Sequence, residues 1–395
     1  MSRVLAGPWC GQILADLGAE VIKIERPGTG DDTRGWGPPY LKDAQGNDTT
    51  ESAYYLSANR GKRSVAVDIS KPEGQELIRK LAAQSDVLIE NYKAGDLERY
   101  GLGYERLKQN NPGLIYCSIT GFGQSGPMSH IPGYDFIIQG IGGLMSITGE
   151  RDDLPGGGPQ KVGVAVADLS TGMYATVAIL AALAYRAQSG QGQHIDMALL
   201  DTQVAMIANM NMNYLVSGKV PQRQGNAHAN IVPYQVFEAA DGQFVIAVGN
   251  DAQFVKCCIA AGVRLHEDAR FTKNADRVRN REVLIPLLAD VFRKRNVNDW
   301  IAALEPAGVP VGGINDIEQV FAHPQVQARA MKMEVPHPLS GTVPLVASPI
   351  KMSVTPPQCK FAPPTLGQHT NDVLRERLGV KEEELTRLRA KGIVG

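Results

Sequence analysis

The first half of the chain alternates short apolar, β-branched runs with stretches of helical spacing. The runs that predict strands are Glu20 to Glu25, Val87 to Glu90, Leu114 to Ile119 and His194 to Met197. A helix is predicted from Pro72, because proline fits a first turn and Leu77, Ile78 and Leu81 follow at helical spacing. This alternation is typical of crossover units, so it predicts a doubly wound α/β fold with a Rossmann-like parallel sheet.

A second pattern begins near Gly218. Two β-rich runs, Tyr234 to Ala239 and Gln243 to Val248, flank Asp241 and Gly242, which is a strong hairpin signal. The helical segments predicted after them are 252 to 261, 281 to 295 and 298 to 307. This part of the chain therefore predicts a smaller α+β domain.

Prolines punctuate the segment from Phe321 to Pro364, which is predicted to be mostly extended. Such a segment usually lies across another surface, because it cannot form a core of its own. The chain then ends in two predicted helices, Asn371 to Leu378 and Glu382 to Lys391.

Length and charge restrict the classes of protein that remain. A chain of 395 residues exceeds what one core usually supports, which favours several domains or one elaborate α/β domain. Its 40 basic and 41 acidic side chains leave a formal net charge of -1, and so no bulk field for nucleic acid or an anionic lipid surface. Any anionic ligand must be bound by a local cluster of cations.

Cysteines and apolar stretches indicate the compartment. The five cysteines are scattered and form no Cys-x-x-Cys pair, so neither a disulfide framework nor a zinc site is predicted, and a reducing cytoplasm fits. No targeting segment is visible after Met1. The longest apolar stretch, Met173 to Ala184, is too short for a membrane span and predicts a buried core helix. We therefore expect a cytoplasmic protein with no nucleic-acid or membrane partner.

Several common catalytic motifs are missing from the sequence. The dinucleotide fingerprint is absent, because Gly140-Ile141-Gly142 has Met145 where a third glycine should fall. There is no P-loop and no G-x-S-x-G turn, and the seven histidines form no i, i+4 zinc-binding pair. Nucleotide-cofactor, serine-hydrolase and metal chemistry therefore lose most of their support, and no metal site is predicted.

One carboxylate stands out. The apolar run Val164 to Ala167 leads into Asp168, and a long helix is predicted directly afterwards. Asp168 would then lie at the positive end of that helix among free N–H groups, which favours its ionised form. Two interpretations stay open on the residues alone: Asp168 is a helix N-cap, which is the commoner case, or it is a nucleophile.

Six cations lie near the ends of the predicted strands. They are Arg26, Arg60, Lys62, Arg63, Lys93 and Arg99. Ligands bind at the carboxyl ends of parallel strands in this architecture, so a cluster of such side chains would suit a phosphorylated ligand. Ordinary solvated surface lysines and arginines are the alternative.

Seven blocks of the sequence follow one another in a familiar order and spacing. The blocks are Ser2 to Arg34, Asn59 to Asp68, Glu90 to Gly95, Tyr116 to Pro127, Gly133 to Gly140, Val166 to Ala175 and Leu366 to Thr370. Together they resemble the class III CoA-transferases, a group that includes formyl-CoA and carnitine CoA-transferases. Within that family, GTGDDTRGWGPPY, NAHANIVPYQVF and GNDAQF are most similar to the branch of succinyl-CoA:glutarate and hydroxymethylglutarate CoA-transferases.

This resemblance implies an architecture. Each subunit would be an open ring, and two copies would interlace as a homodimer. The large α/β domain would be built from both chain ends, residues 1–215 and 326–395, with a smaller α+β domain of residues 216–325 inserted between them. The family also has one more strand before the turn at Val4, and Met1 falls where that strand would end.

The resemblance also implies a reaction. CoA would pass from an acyl-CoA such as succinyl-CoA to a carboxylic acid, by preference a dicarboxylate, through a covalent intermediate on Asp168. CoA would be a co-substrate, and no cofactor would be permanently bound. The positions that match the family's CoA contacts are Val4, Leu5, Ala6, Arg26, Val67, Asp68, Ile69, Asn91, Tyr92, Lys93, Arg99, Gly133, Tyr134 and Asp135.

The acceptor pocket is less defined. Arg223 and His228 are the side chains predicted to bind the distal carboxylate of a dicarboxylic substrate. The glycine-run lid of formyl-CoA transferases is missing. Its nearest counterparts are the pairs Gly225-Asn226 and Gly249-Asn250.

Two other functions stay open at this point. An acyl-CoA racemase of the same fold needs an acid/base pair on opposite faces of its substrate, and such racemases carry histidine where this chain has Tyr134. A non-catalytic CoA-binding protein would use Asp168 only as a cap.

Overall fold

Parallel strands form the framework of the N-terminal half in this computed structural model, which describes residues 1–395. The strands are β1 (Val21–Glu25), β2 (Tyr40–Lys42), β3 (Asp48–Ser52), β4 (Lys62–Ala66), β5 (Val87–Glu90), β6 (Ile115–Thr120), β7 (His194–Ala198), β8 (Tyr234–Glu238), β9 (Gln243–Ala247), β10 (Val311–Gly313), β11 (Lys332–His337) and β12 (Gly341–Val346). The helices are α1 (Ala6–Asp16), α2 (Ala53–Ser57), α3 (Pro72–Ala82), α4 (Asp96–Arg99), α5 (Tyr104–Leu107), α6 (Asp135–Ile141), α7 (Leu144–Ile147), α8 (Val166–Ser189), α9 (Leu199–Met206), α10 (Ala208–Ser217), α11 (Asp251–Ala260), α12 (Asn274–Arg279), α13 (Arg281–Phe292), α14 (Val297–Leu304), α15 (Ile317–Ala322), α16 (Pro324–Ala328), α17 (Thr370–Leu378) and α18 (Glu382–Ala390).

The strands of this half form two parallel sheets. β1 pairs with β4, with Val21 opposite Lys62, and β5, β6 and β7 pair in that order, with Ser118 opposite Asp196. All four predicted strands are confirmed, with bounds that differ by at most one residue. β4 was missed, because its polar opening residues obscure the short apolar run that follows them.

A cavity of about 490 Å³ separates the two parallel sheets. It is lined by the facing edges of β1 and β5, and these two edges make no strand pair with each other. The terminal ammonium of Met1 lies at its rim and donates a hydrogen bond of 2.8 Å to the carbonyl of Ile89.

Helices cover both faces of these sheets. On one face α8 packs against β6 through Ile179, which belongs to a buried cluster with Ile115 and Cys117. On the other face α3, α17 and α18 form a second cluster around Val65 and Leu374. Because α17 and α18 come from the C-terminal end of the chain, both chain ends contribute to one α/β unit.

The contacts divide the chain into two units. Unit 1 consists of Met1–Leu144, Val162–Ser217 and Gln327–Gly395, and unit 2 consists of Met145–Lys161 and Gly218–Val326. The predicted domain scheme assigns Met145–Lys161 to the large domain, whereas its contacts assign it to unit 2. The proline-punctuated segment is largely extended, as predicted, and it contains the antiparallel hairpin of β11 and β12, which the sequence analysis did not predict.

Unit 2 contains the antiparallel sheet β10-β9-β8, and its hairpin of β8 and β9 is the one that Asp241-Gly242 predicts. Phe292 on α13 lies at the centre of the core, with its ring centroid 4.9 Å from that of Phe237 and 5.1 Å from that of Trp300. Edge-to-face aromatic contacts of this kind add to the stabilisation that burial alone provides. Unit 2 therefore has an apolar core of its own.

The long helix α8 is only half-buried, although the apolar stretch from Met173 predicts a core helix. By length and composition alone it is long enough to cross a membrane, but 50% of its most apolar window is buried inside the protein. One face packs on the sheet, whereas Met173, Val177 and Leu180 on the other face are 50%, 64% and 43% exposed. The sequence pattern does not separate these two faces, because both are apolar.

Candidate active site

Asp168 is the third residue of α8 and lies in its first turn. The structure contains no hydrogen bond or ion pair to either of its carboxylate oxygens, and the side chain is partly buried. Burial, followed by the neighbouring charge of Asp135, raises the pKa of Asp168 to about 7. The expectation that the helix end would favour the ionised form is therefore wrong, because the helix N–H groups are used elsewhere.

The first four N–H groups of α8 all have acceptors. Val166 donates to the carbonyl of Val164 at 2.9 Å, and Leu169 donates to that of Ala165 at 3.1 Å. The amides of Ala167 and Asp168 both donate to Oδ1 of Asp135, at 2.8 and 3.4 Å. The N-cap residue is Ala165, which has no capping side chain. Asp168 is therefore not the cap of its helix.

Asp135 and Gln139 on α6 hold the segment that leads into α8. Oδ2 of Asp135 accepts a hydrogen bond of 2.7 Å from Nε2 of Gln139. The Gln139 side chain is fully buried, and its Oε1 accepts from the amide of Val162 at 2.9 Å. Just before α6, the backbones of Gly121 and Gly133 touch so closely that neither position has room for a Cβ atom. The start of α6 is therefore fixed beside the carboxyl end of β6.

The N-terminus of α1 lies against the same part of α8. A Cβ atom on Gly172, one turn after Asp168, would be 2.7 Å from the carbonyl oxygen of Ala6. Val4, just before α1, has a φ angle of 68°, which is strained for a β-branched residue. The amides of Ala6 and Gly7 make no hydrogen bond, since no carbonyl precedes them in the helix. The fold thus brings two separately predicted site segments together.

An aromatic pair that the sequence analysis missed lies close to Asp168. The rings of Trp36 and Tyr54 make an edge-to-face contact with centroids 5.1 Å apart. Burial raises the pKa of Tyr54 to about 12, helped by the carboxylates of Asp168, Asp135 and Asp31. Trp36 is 45% exposed, which is unusual for so large an apolar ring. The position of Trp36 in the block GTGDDTRGWGPPY is the sequence signal that could have identified it.

The other residues predicted to contact CoA lie at the carboxyl ends of the parallel strands. Arg26 follows β1, Val67 to Ile69 follow β4, and Asn91 to Lys93 follow β5. Asn91 is tied to the turn before α1, since it accepts from the amide of Arg3 at 3.0 Å and donates to its carbonyl at 2.7 Å. Arg26 and Lys93 are exposed.

Asp68 and Tyr92 have perturbed pKa values at this edge. Burial by itself raises the pKa of Asp68, but hydrogen bonds from Ser70 and the charges of Lys71 and Arg26 hold it below its ordinary value. Burial raises the pKa of Tyr92. Val67 is buried and bridges to Val394, so its contact with a ligand is limited to the backbone.

Three of the six cations are not available to a phosphate. Lys62 is fully buried, and its ammonium donates to the carbonyls of Pro8 and Ala58 at 2.7 Å each. Arg60 forms a buried ion pair with Asp16, and Arg63 pairs with Glu20 and Glu376. The remaining three are exposed: Arg26, Lys93 and Arg99, of which Arg99 pairs with Asp96.

The residues predicted for the acceptor pocket have structural partners within unit 2. Arg223 pairs with Asp152 and donates to the carbonyls of Glu150 and Ser146. Nδ1 of His228 accepts from the amide of Asn230 at 3.0 Å. These contacts occupy all three nitrogens of the Arg223 guanidinium, whereas for His228 they involve Nδ1 alone.

The structure also locates the two glycine pairs and the position where racemases carry histidine. Asn250 of the pair Gly249-Asn250 caps α11 by accepting from the amide of Gln253, so this pair marks a helix start. Gly225 lies against the carboxylate of Glu150 and has no room for a side chain. Tyr134, where racemases carry histidine, precedes α6 and is 56% exposed.

Comparisons with known proteins identify the family of this chain. The family model for CoA-transferase family III matches residues 1–370. The succinate–glutarate CoA-transferase of Agrobacterium fabrum is 51% identical over 377 residues, covering 95% of this chain and 93% of the relative. The human succinyl-CoA:glutarate CoA-transferase is 43% identical over 395 residues, covering 100% of this chain and 88% of the relative. A crystal structure of a CAIB/BAIF family protein from Brucella suis has a TM-score of 0.83 at 49% identity, covering 95% of this chain and 97% of that one. The chain therefore belongs to CoA-transferase family III and is a CoA-transferase.

Proposed function

We propose that this enzyme transfers CoA from succinyl-CoA to a dicarboxylic acid such as glutarate, with the side chain of Asp168 carrying CoA between them as an aspartyl thioester. The named activities of the Agrobacterium and human relatives support the choice of substrates. The observation that carries the chemistry is the free carboxylate of Asp168, which lies in a fixed helix turn and has no protein partner. A carboxylate held in this way is ready to attack a substrate instead of forming a structural contact.

The first step forms an anhydride. One oxygen of the Asp168 carboxylate attacks the thioester carbon, the C–S bond breaks, and CoA leaves as the thiolate. The product is a mixed anhydride between the succinyl group and Asp168. The oxyanion that forms on the way needs donors, and the unpaired amides of Ala6 and Gly7 are the nearest candidates, each contributing about 3 kcal/mol if well placed.

The later steps exchange the acid. The thiolate attacks the Asp168 carbonyl carbon, succinate leaves, and an aspartyl-CoA thioester forms. A carboxylate of the incoming dicarboxylic acid attacks this thioester, which gives a new anhydride and releases the thiolate. The thiolate then attacks the acceptor carbonyl, which completes the new CoA ester and restores the Asp168 carboxylate. One thioester replaces another, so no separate energy source is consumed.

Coenzyme A is expected at the carboxyl edge of the strands. The exposed guanidinium and ammonium groups of Arg26, Lys93 and Arg99 would bind its phosphates, and the strained turn at Val4 would guide the pantetheine arm towards Asp168. The other CoA contacts implied by the resemblance stay predictions.

We further propose that two copies of the chain form an interlaced homodimer, as the resemblance implies. Its support is a large exposed apolar surface on α6, α8 and α10. The members include Phe136, Ile137, Ile141, Met173, Val177, Leu215 and Val216. Exposed apolar side chains in this number are typical of a surface that another protein covers. Sedimentation of the purified protein should give twice the chain mass, and a monomer at micromolar concentration would contradict this assembly.

Replacement of Asp168 by asparagine tests the reaction. The amide is a poor nucleophile, so we expect Asp168→Asn to lose at least about a thousandfold in CoA transfer while it still binds CoA. Mass spectrometry of the native enzyme with succinyl-CoA should find an acyl or CoA adduct on the peptide that contains Asp168.

Asp201 provides a matched control. Like Asp168 it is the third residue of its helix, after an alanine N-cap, but it is exposed on α9. Asp201→Asn should therefore transfer CoA at the native rate. Full turnover by Asp168→Asn would overturn the proposed reaction.

A further inference from the structure

The N-terminal cap of α8 comes from a distant part of the chain. The residue at the N-cap position is Ala165, which has no side chain able to accept a hydrogen bond. The missing acceptor is Oδ1 of Asp135, which lies 33 residues before Asp168 in the sequence. This carboxylate is at the same time the nearest negative charge to the nucleophile.

We propose that Asp135 is a positioning residue for Asp168, and that its carboxylate caps α8 and thereby leaves the carboxylate of the nucleophile free of the helix amides. This inference rests on the proposed function of Asp168 as nucleophile. It assigns Asp135 to Asp168 and not to CoA, although the resemblance places Asp135 among the CoA contacts.

The capping contact explains why Asp168 has no hydrogen-bond partner. An aspartate in the first turn of a helix normally interacts with the unpaired amides there, and this contact stabilises its charged form. In this protein the amides of Ala167 and Asp168 are already bound to Asp135, so the carboxylate of Asp168 has no donor on its own helix. A carboxylate without donors is a stronger nucleophile than one that is hydrogen-bonded.

The charge of Asp135 also makes the carboxylate of Asp168 more basic. A like charge within a few ångströms disfavours the ionised form of a carboxyl group, and burial, the larger cause here, does the same. Tyr54 from α2 also faces this pair, and its hydroxyl is neutral because its pKa is about 12. The charge of Asp31 is matched by Lys23 at 2.7 Å.

The other helices that pack against the start of α8 bring no opposing cation. α1 contributes the backbone around Ala6, and α9 contributes Met206, whose sulfur accepts a hydrogen bond from Ser170. No ion pair joins Asp135 or Asp168 to a lysine or arginine of the chain. The negative charge of Asp135 therefore reaches Asp168 without compensation from the protein.

Gln139 fixes the orientation of Asp135. Its Oε1 accepts from Val162 and its Nε2 donates to Oδ2 of Asp135, so rotation of the carboxylate would break this bond as well as those to the amides of α8. Because Gln139 donates to this oxygen, an asparagine at position 135 would direct a donor at a donor unless the Gln139 amide turned over. The double variant Asp135→Asn with Gln139→Glu restores that match and moves the negative charge one side chain further from Asp168.

The pH dependence of CoA transfer tests this assignment. In the native enzyme kcat/KM should rise with pH through about 7 and level off above it, because only ionised Asp168 attacks. In Asp135→Asn this rise should occur about one pH unit lower or more, and the plateau rate should fall about tenfold. The KM for succinyl-CoA should change less than about twofold.

Two control variants show whether a shift in the pH profile comes from the charge of Asp135. Asp135→Glu keeps the charge and should keep the rise in rate near the native pH, while Asp201→Asn should match the native profile throughout. If Asp135→Asn is unstable, the double variant with Gln139→Glu replaces it and should also shift the rise to lower pH. A folded Asp135→Asn or double variant with an unshifted profile would overturn the role of Asp135. If Asp168→Asn itself transferred CoA, the proposed reaction would fail instead.

Discussion

Asp31 and Asp168 are two aspartates of unit 1, and the charge of each raises the pKa of Tyr54. Their own surroundings differ in charge and in hydrogen-bond donors. Asp31 is buried and binds the ammonium of Lys23 at 2.7 Å, and it also accepts from Thr33 and from the amide of Val4. Asp168 has no donor, and its nearest charged neighbour is a second carboxylate.

The same residue type therefore titrates in opposite directions within one site. Burial by itself raises the pKa of Asp31, but the charge and hydrogen bond of Lys23 outweigh it and hold the pKa below its ordinary value. Burial and Asp135 raise the pKa of Asp168. The comparison separates a carboxylate that stabilises the fold from one whose ionisation lowers stability, as the proposed function of Asp168 requires.

Arg34, like Lys23, forms ion pairs with buried carboxylates. Its guanidinium binds Glu25 and Glu51 at 2.8 and 2.7 Å, and it also donates to the carbonyl of Pro364. Burial alone raises the pKa of Glu25, but Arg34 and Lys23 lower it overall. Glu51 keeps a raised pKa, because burial outweighs the charge of Arg34. This network supports the turn of Trp36 and joins it to the C-terminal segment.

The largest loss of stability is expected from Arg34→Met. The change leaves two buried carboxylates without their ion-pair partner, which costs about 5 kcal/mol of the free energy of unfolding. Urea denaturation monitored by circular dichroism measures this loss. Hydrogen exchange should show it in peptides of unit 1. A loss below about 1 kcal/mol would mean that the network contributes little to stability.

A smaller loss, of about 3 kcal/mol, is expected from Lys23→Met. This change makes Asp31 resemble Asp168, because burial then raises its pKa without an opposing charge. In the native protein the lowered pKa of Asp31 adds stability at every pH above the ordinary pKa of an aspartate, and this contribution is lost only as the pH falls below that value. In the variant the raised pKa of the buried Asp31 destabilises the fold at neutral pH, and this penalty disappears as the pH falls towards the ordinary pKa. The difference in stability between native protein and variant should therefore shrink from pH 7 towards pH 4. An unchanged difference over this range would contradict the role assigned to Lys23.

The smallest effect on stability is expected from Asp168→Asn, and this variant should be more stable than the native protein. The pKa of Asp168 is higher in the folded protein than in the unfolded chain, so its ionisation destabilises the fold as the pH rises through about 7. The variant should then melt about 2 °C or more above the native protein at pH 8. At pH 4 the two should melt together, and Asp201→Asn should show no gain at either pH. A variant that is less stable at pH 8 would show that Asp168 contributes to the fold.

Local patterns were sufficient for most elements of the fold. The strands that follow Ala19 and Asp86 are short apolar runs between turn signals, and the hairpin at Asp241-Gly242 follows from a two-residue turn. β4 and the hairpin of β11 and β12 were missed, because their polar or proline-rich sequences do not show the expected alternation. Pairing with a neighbouring strand decides such segments, and one sequence does not reveal the neighbour.

The site was only partly predictable for a related reason. Asp168 could be identified as a candidate from an apolar run that enters a helix, but the sequence could not show that Asp135 takes the capping role instead of Asp168. Lys62 and Arg60 looked like phosphate ligands, yet they are buried with structural partners. Charge type is visible in a sequence, whereas the partner that neutralises the charge is not.

The sequence by itself determined that this protein is a nearly neutral α/β chain with parallel strands, and that an aspartate begins its longest apolar helix. These properties follow from spacing and composition, which act between residues a few positions apart. Only the tertiary structure decided which aspartate is bound by a cation and which faces a second carboxylate. The pKa of a buried group depends on charges within a few ångströms, and folding brings those charges together from distant parts of the chain.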